Sequence, residues 1–163
     1  MTNCISIILR TKMKSSKENK NNKIYMKNIE KLCKSNNLKL TALRKQVLEL
    51  IISKKGFVKA YDLLNDFKKI QPNAKPPTIY RSLDFLEENG FIHKLQSLNA
   101  FIKCTHPKEH DNCYFLICKK CNNIEEVCSS KIDKVVSNTS KEKNFSPKNV
   151  TFEISGICYK CMS

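Results

Sequence analysis

The chain has 163 residues, 40% hydrophobic and 28% charged, which suits one domain or two small ones with a modest core. That excludes a wholly disordered chain and a large multi-domain enzyme. Its 30 Lys and Arg against 15 Asp and Glu give a net charge of +15, favouring a polyanionic partner such as nucleic acid or an anionic membrane surface. Lys supplies 27 of the basic residues and Arg three, while Gly and Ala are scarce, so part of the excess reflects A/T-rich codon usage. The remainder is unevenly placed. Residues 1–103 hold 21 basic and 8 acidic residues, residues 104–163 hold 9 and 7, and seven of the nine cysteines fall in the second part. Two modules with different tasks are expected, the first facing a polyanion.

The first 27 residues, dense in Lys, Asn and Ser, read as a flexible basic arm, with Met13 or Met26 as alternative starts. From Asn28 the spacing becomes helical: Ile29, Leu32 and Cys33 precede the break at Asn36-Asn37. Thr41 is the expected N-cap of a helix with Leu43, Val47, Leu50 and Ile51 on one face, ended by Gly56. Ala60, Leu63, Leu64 and Phe67 form a third stripe before Pro72. Ile79, Leu83 and Leu86 form a fourth, opened by Pro76-Pro77 and closed by Asn89-Gly90. Residues 91–96 and 100–104 are β-favouring and joined by three residues, so the pattern is helices followed by a hairpin, a winged helix-turn-helix.

Residues 105–112 are polar, carry Pro107 and read as a hinge. Beyond them, strands are expected at 114–118, 124–127 and 150–157, with a helix over 130–143 carrying Ile132, Val135 and Val136. The second module is therefore α+β. The longest apolar run near the N-terminus, Ile7 to Leu9, is too short for a secretory or membrane-spanning segment. The chain is expected in the reducing cytoplasm with its cysteines as thiols or metal thiolates.

In a helix-turn-helix protein, the helix entering the major groove needs an apolar face for packing and a polar face for phosphates and base edges. Residues 77–88 fit, with Thr78, Tyr80, Arg81 and Ser82 near the N-terminus and partly outward. The Arg81 guanidinium suits bidentate contact with guanine. The strongest chemical signal is a pair of CxxC motifs, Cys118/Cys121 and Cys158/Cys161, separated by 36 residues. Two thiolate pairs complete the closed tetrahedral shell of structural zinc, and a module of this size needs such a staple. Reversible disulfides or a dithiol redox site are the competing readings. A second constellation is His93, Cys104, His106, His110, Glu125 and Glu126, whose mixed imidazole, thiolate and carboxylate donors suit zinc.

Several runs together resemble the ferric uptake regulator family, most of all its zinc uptake branch. They are Leu40-Thr41, Ala60-Tyr61-Asp62-Leu63-Leu64, Ala74-Lys75-Pro76-Pro77-Thr78-Ile79-Tyr80-Arg81-Ser82-Leu83-Asp84-Phe85-Leu86, Gly90-Phe91-Ile92-His93-Lys94 and Phe115-Leu116-Ile117-Cys118. The resemblance covers about residues 28–161. It implies a winged-helix DNA-binding domain over 28–104, the hinge over 105–112 and a small dimerisation and metal-binding domain over 113–163. It further implies that Lys75, Thr78, Tyr80 and Arg81 meet DNA and that Cys118, Cys121, Cys158 and Cys161 hold structural zinc. The regulatory zinc site carries over as His93, Cys104, His110 and Glu126, with His106 as an alternate because the hinge spacing departs slightly from the pattern, and Glu125 as an alternate because it adjoins Glu126. Cys4, Cys33, Cys113 and Cys128 have no assigned role and read as small buried hydrophobes or surface thiols.

The expected protein is thus a homodimeric repressor with two zinc ions per subunit, which binds operator DNA when zinc-loaded and represses zinc acquisition. It has no membrane and no small-molecule substrate. An iron- or peroxide-responsive regulator of the same fold is the alternative. A zinc-dependent enzyme is a distant third, since no nucleophile elbow, phosphate loop or His-Glu-x-x-His helix is present.

Overall fold

The computed structural model describes residues 4–107, 113–148 and 150–162. Its first helix, α1 (Cys4–Ser35), runs straight through the boundary expected at residue 27. The flexible arm of the sequence reading is helical from Cys4 onward, with no Pro or Gly in the first 35 residues to interrupt it. Its C-terminal part is also anchored. Met26, Ile29 and Cys33 are buried at successive helical turns, and the Tyr25 hydroxyl donates to the Phe91 carbonyl at 2.8 Å. A Lys- and Asn-rich composition hides this because, among the side chains described from residue 19 onward, the buried ones form one narrow stripe.

Three further helices complete the first core: α2 (Ala42–Ser53), α3 (Ala60–Ile70) and α4 (Pro76–Glu88). Thr41 caps α2 through its side chain, which accepts from the Arg44 N–H. Val47, Leu48 and Ile51 from α2, Leu63 and Phe67 from α3, and Ile79, Leu83 and Leu86 from α4 are almost wholly buried in one cluster. Each large side chain stabilises the fold by about 1.5–3 kcal/mol. Asn89 and Gly90 end α4, Gly90 in the left-handed region with φ 67°.

The wing has three strands rather than two. β1 (Phe57–Lys59), β2 (Ile92–Leu95) and β3 (Ala100–Lys103) form an antiparallel sheet in the order β1-β3-β2. At three residues β1 is too short to leave a periodic signal. The expected hairpin connection is a 3₁₀ turn (Gln96–Leu98) closed by Asn99 in the left-handed region.

The second module is a three-stranded sheet, order β5-β4-β6, made of β4 (Cys113–Cys118), β5 (Ile124–Cys128) and β6 (Phe152–Gly156). β5 pairs antiparallel with β4, and β6 pairs parallel with it after the crossover through α5 (Ser130–Glu142). A last turn of helix, α6 (Tyr159–Met162), follows Cys158. Phe115 and Ile117 of β4 pack with Leu95, Ala100 and Ile102 of the wing, so the two modules share a small core. Their junction is also tied by Glu153, whose carboxylate accepts the backbone N–H groups of Gln96 and Ser97. By contrast, α5 buries no residue, and Val135, Phe145, Phe152, Ile154 and Ile157 are exposed.

One sequence expectation fails outright. Cys113 and Cys128, read as unassigned thiols, are directly opposed on β4 and β5 with Cα atoms 4.2 Å apart and are joined as a disulfide. Pairing across adjacent strands puts them within bonding reach, a proximity that spacing along the chain does not reveal.

Candidate metal centres and nucleic-acid surface

β4 and β6 run parallel and end at the same level, Cys118 opposite Gly156. That shared end brings the two CxxC motifs together. Asn122 in the left-handed region turns the chain after Cys121, and its N–H donates to the Cys118 carbonyl. α6 returns Cys161 toward Cys158. The four sulfurs lie within 4.8 Å of one another, and those of Cys121 and Cys158 are 3.7 Å apart. A tetrahedral shell with zinc–sulfur bonds of about 2.3 Å has sulfurs about 3.8 Å apart, close to the Cys121–Cys158 separation, so the set fits zinc. The backbone N–H of Cys158, followed by that of Cys121, holds the Cys118 thiol down to about 6. The neighbouring sulfurs of Cys158 and Cys121 push the Cys161 thiol up to about 12. Four thiolates this close repel one another, which a divalent cation offsets.

A second donor set spans the junction. His93 comes from β2, Cys104 follows β3, and Glu126 lies on β5 opposite Phe115. The His93 ring packs edge-on against Phe115 at 5.1 Å and its Nε2 lies 3.0 Å from Glu126 Oε1. Cys104 is fully buried, with its Sγ 3.6 Å from the same oxygen. Thr105 steers the carboxylate by donating to Oε2 from both its backbone N–H, at 2.8 Å, and its hydroxyl, at 2.7 Å. Burial works against the Glu126 charge, but the hydrogen bonds from His93 and Thr105 outweigh it and hold the carboxyl down to about 2. Cys104 moves the other way, pushed up to about 12 by burial and then by the Glu126 charge. One imidazole, one thiol and one carboxylate thus converge, all within 4.8 Å, and form a donor set that fits zinc.

The alternates separate by position. Glu125 is exposed, on the opposite face of β5 from Glu126, as strand alternation requires. The His106 imidazole does not join His93 and Cys104, although its backbone N–H donates to Cys104 Sγ at 3.3 Å; its Nδ1 lies 2.9 Å from the Thr105 hydroxyl and 4.0 Å from Cys128 Sγ. His110 lies outside the described residues. Two participants were not anticipated. Thr105 gives no signal in the sequence, whereas Cys128, two residues beyond Glu126 on the same strand, could have been found by period-two alternation.

The exposed edge of α4 presents Lys75 at its N-cap, then Thr78, Tyr80 and Arg81, all solvent-accessible. Ser82, expected to be partly outward, is buried and donates to the Thr78 carbonyl at 3.0 Å. Arg44 is engaged elsewhere, its guanidinium 3.6 Å over the Phe85 ring.

A three-stranded winged helix joined through a shared His/Cys/Glu donor set to a small sheet closed by four cysteines defines a metal-binding winged-helix protein. The chain belongs to the ferric uptake regulator family, whose pattern matches residues 35–155. It is 36% identical over 135 residues to the zinc uptake regulation protein of Escherichia coli K12, covering 82% of this chain and 78% of the relative. A solved zinc uptake regulator complexed with zinc and DNA superposes with a TM-score of 0.81 at 32% identity, over 86% of this chain and 95% of that one. The holo XcZur crystal structure gives 0.76 at 39% identity, over 85% and 96%.

Proposed function

We propose that this chain is a zinc-responsive transcriptional repressor that binds operator DNA as a dimer and represses genes for zinc acquisition. The observation that carries the reading is the His93–Cys104–Glu126 set, whose donors come from both modules. Ligation of one zinc ion by both would fix their relative orientation and select the geometry in which two α4 helices meet successive major grooves. Linkage then requires operator DNA to tighten zinc binding by the factor with which zinc tightens DNA binding.

His110 is the proposed fourth ligand. Cys118, Cys121, Cys158 and Cys161 hold the structural ion, giving two zinc ions per subunit. The dimer contact is assigned to the second module, where Val135, Phe152, Ile154 and Ile157 are exposed. Among the described residues no helix is long and apolar enough to cross a membrane. The iron-responsive alternative fits less well, because a thiol at Cys104 favours zinc by its softness.

Metal analysis tests this reading, combined with binding to operator DNA enriched from a random pool on the zinc-loaded protein. A chelator that removes the regulatory zinc should abolish the specific complex; unchanged binding would sink the proposal. Arg81→Ala should keep fold and zinc content but lose about 1–3 kcal/mol of preference for operator over random DNA in competition shifts. An unaltered preference would remove Arg81 from base readout.

The regulatory site should also be pH-dependent. At neutral pH the Cys104 thiol, pushed up to about 12, is protonated, while Glu126, held down to about 2, is already ionised. Zinc uptake therefore releases the thiol proton, and affinity should rise about tenfold per pH unit from roughly pH 6.5 to 8.5. Competition with a chromophoric chelator across that range measures it; a flat profile would argue against a Cys104 thiolate ligand.

A further inference from the structure

Cys128 is one sulfur that the proposed function leaves unused, and it stands beside the regulatory site. It follows Glu126 by two residues on β5, so both side chains project from the same face. Its Sγ lies 3.9 Å from Glu126 Oε1 and 4.0 Å from His106 Nδ1, and the three donor atoms fall within 4.8 Å of one another. His106 is exposed, which gives an ion a path from solvent. In the state described, the sulfur is bonded to Cys113, and a disulfide sulfur is not a thiolate ligand.

We propose that His106, Glu126 and Cys128 form an additional zinc site, gated by the Cys113–Cys128 disulfide. It lies beyond the two zinc positions of the proposed function and rests on that reading only in sharing Glu126.

Opening the gate requires a small thiol reductant such as glutathione. Its thiolate attacks the Cys113 sulfur, the disulfide bond breaks and the Cys128 thiolate leaves. A second glutathione thiolate resolves the mixed disulfide on Cys113, oxidised glutathione departs, and Cys113 takes up a proton. Two electrons pass from the two glutathione sulfurs to the two cysteines. The Cys128 thiolate then supplies the soft donor that the set lacks while oxidised, alongside an imidazole and a carboxylate, a combination suited to zinc. Closing it reverses the balance: two protein thiols are oxidised by oxidised glutathione, which leaves as two reduced molecules. Glu126 Oε1 faces His93 and Cys104 on one side and Cys128 on the other, so an ion in the gated site would draw on a carboxylate that the regulatory site also uses.

The test is metal stoichiometry on the full chain, with zinc and with cobalt as a thiolate-reporting substitute, in reduced and glutathione-disulfide-treated protein. Thiol mapping by mass spectrometry would establish the state of each cysteine. The reduced wild type should bind one more zinc per subunit than the oxidised form, with added sulfur-to-cobalt charge-transfer absorption. Cys128→Ser should lack that equivalent in both states, and Cys113→Ser should keep it when reduced and lose it after treatment, because oxidised glutathione caps the lone Cys128 thiol as a mixed disulfide. Equal counts for reduced wild type and Cys128→Ser would overturn the site, and failure of oxidised glutathione to form the Cys113–Cys128 bond would overturn the gate. The Cys104→Ser protein separates this from the regulatory reading: an unchanged zinc count there counts against the regulatory site and leaves the Cys128 comparison intact.

Discussion

Cys118→Ser or Cys158→Ser should unfold the second module and abolish dimerisation. Apart from the Cys113–Cys128 bridge between β4 and β5 and the Glu153 tie from β6 to the wing, the sheet that carries these residues has little to hold it. Its described core is Phe115 and Ile117 of β4, resting on the wing, while α5 buries nothing. β6 reaches β4 only by a parallel crossover, the pairing with the longer connection to order. The four-sulfur cluster joins the end of β4 to the end of β6, so a filled zinc shell closes that connection. Structural zinc of this kind binds with roughly 10–16 kcal/mol, more than the whole stability of many domains. Removing one thiolate from the shell should therefore leave β6 and α6 unanchored and disorder the apolar surface assigned to the dimer contact. Sedimentation, zinc content and hydrogen exchange across residues 113–162 would register the change. A variant that stayed a fully folded dimer would contradict a structural role for the cluster.

Cys104→Ser should have the opposite signature, keeping the fold while losing regulation. The side chain is fully buried, yet serine is slightly smaller and its hydroxyl can donate to Glu126 Oε1 where the thiol now lies. A serine hydroxyl stays protonated near neutral pH, so the site loses its only thiolate and its preference for zinc over harder ions. Loss of zinc affinity at this site should exceed about 100-fold, the upper end of what removing a supporting neighbour costs a metal site. The variant should retain its structural zinc, stay dimeric and bind operator poorly at physiological free zinc. Metal analysis after dialysis against a zinc buffer, with sedimentation and operator shifts on the same sample, measures all three. A zinc count unchanged from that of the wild type in the same redox state would remove Cys104 from the ligand set.

Much of the first module was legible because long helices leave periodic stripes. Thr41, the Pro76-Pro77 entry to α4 and the Asn89-Gly90 exit all stand where capping chemistry placed them. What escaped was short or non-local. β1 has three residues and no period, and the described C-terminal part of α1 buries a narrow stripe beneath a polar composition. The donor set around Glu126 was readable as residue types, but Thr105 orients the carboxylate through contacts that form only when β5 meets the end of β3. The disulfide is of the same kind: Cys113 and Cys128 are 15 residues apart, and only strand register sets them face to face. Chemistry carried by spacing within one segment could be read, whereas chemistry assembled between segments needed the fold.

The most direct test of the account follows operator binding while wild-type protein, its four-cysteine site filled, is titrated anaerobically with zinc and separately with ferrous iron. Thiolate softness and the divalent affinity order predict that zinc activates at far lower free concentration than iron, with operator affinity rising as the regulatory site fills. Activation by ferrous iron at concentrations where zinc has no effect would contradict the zinc assignment and put the iron-responsive reading in its place.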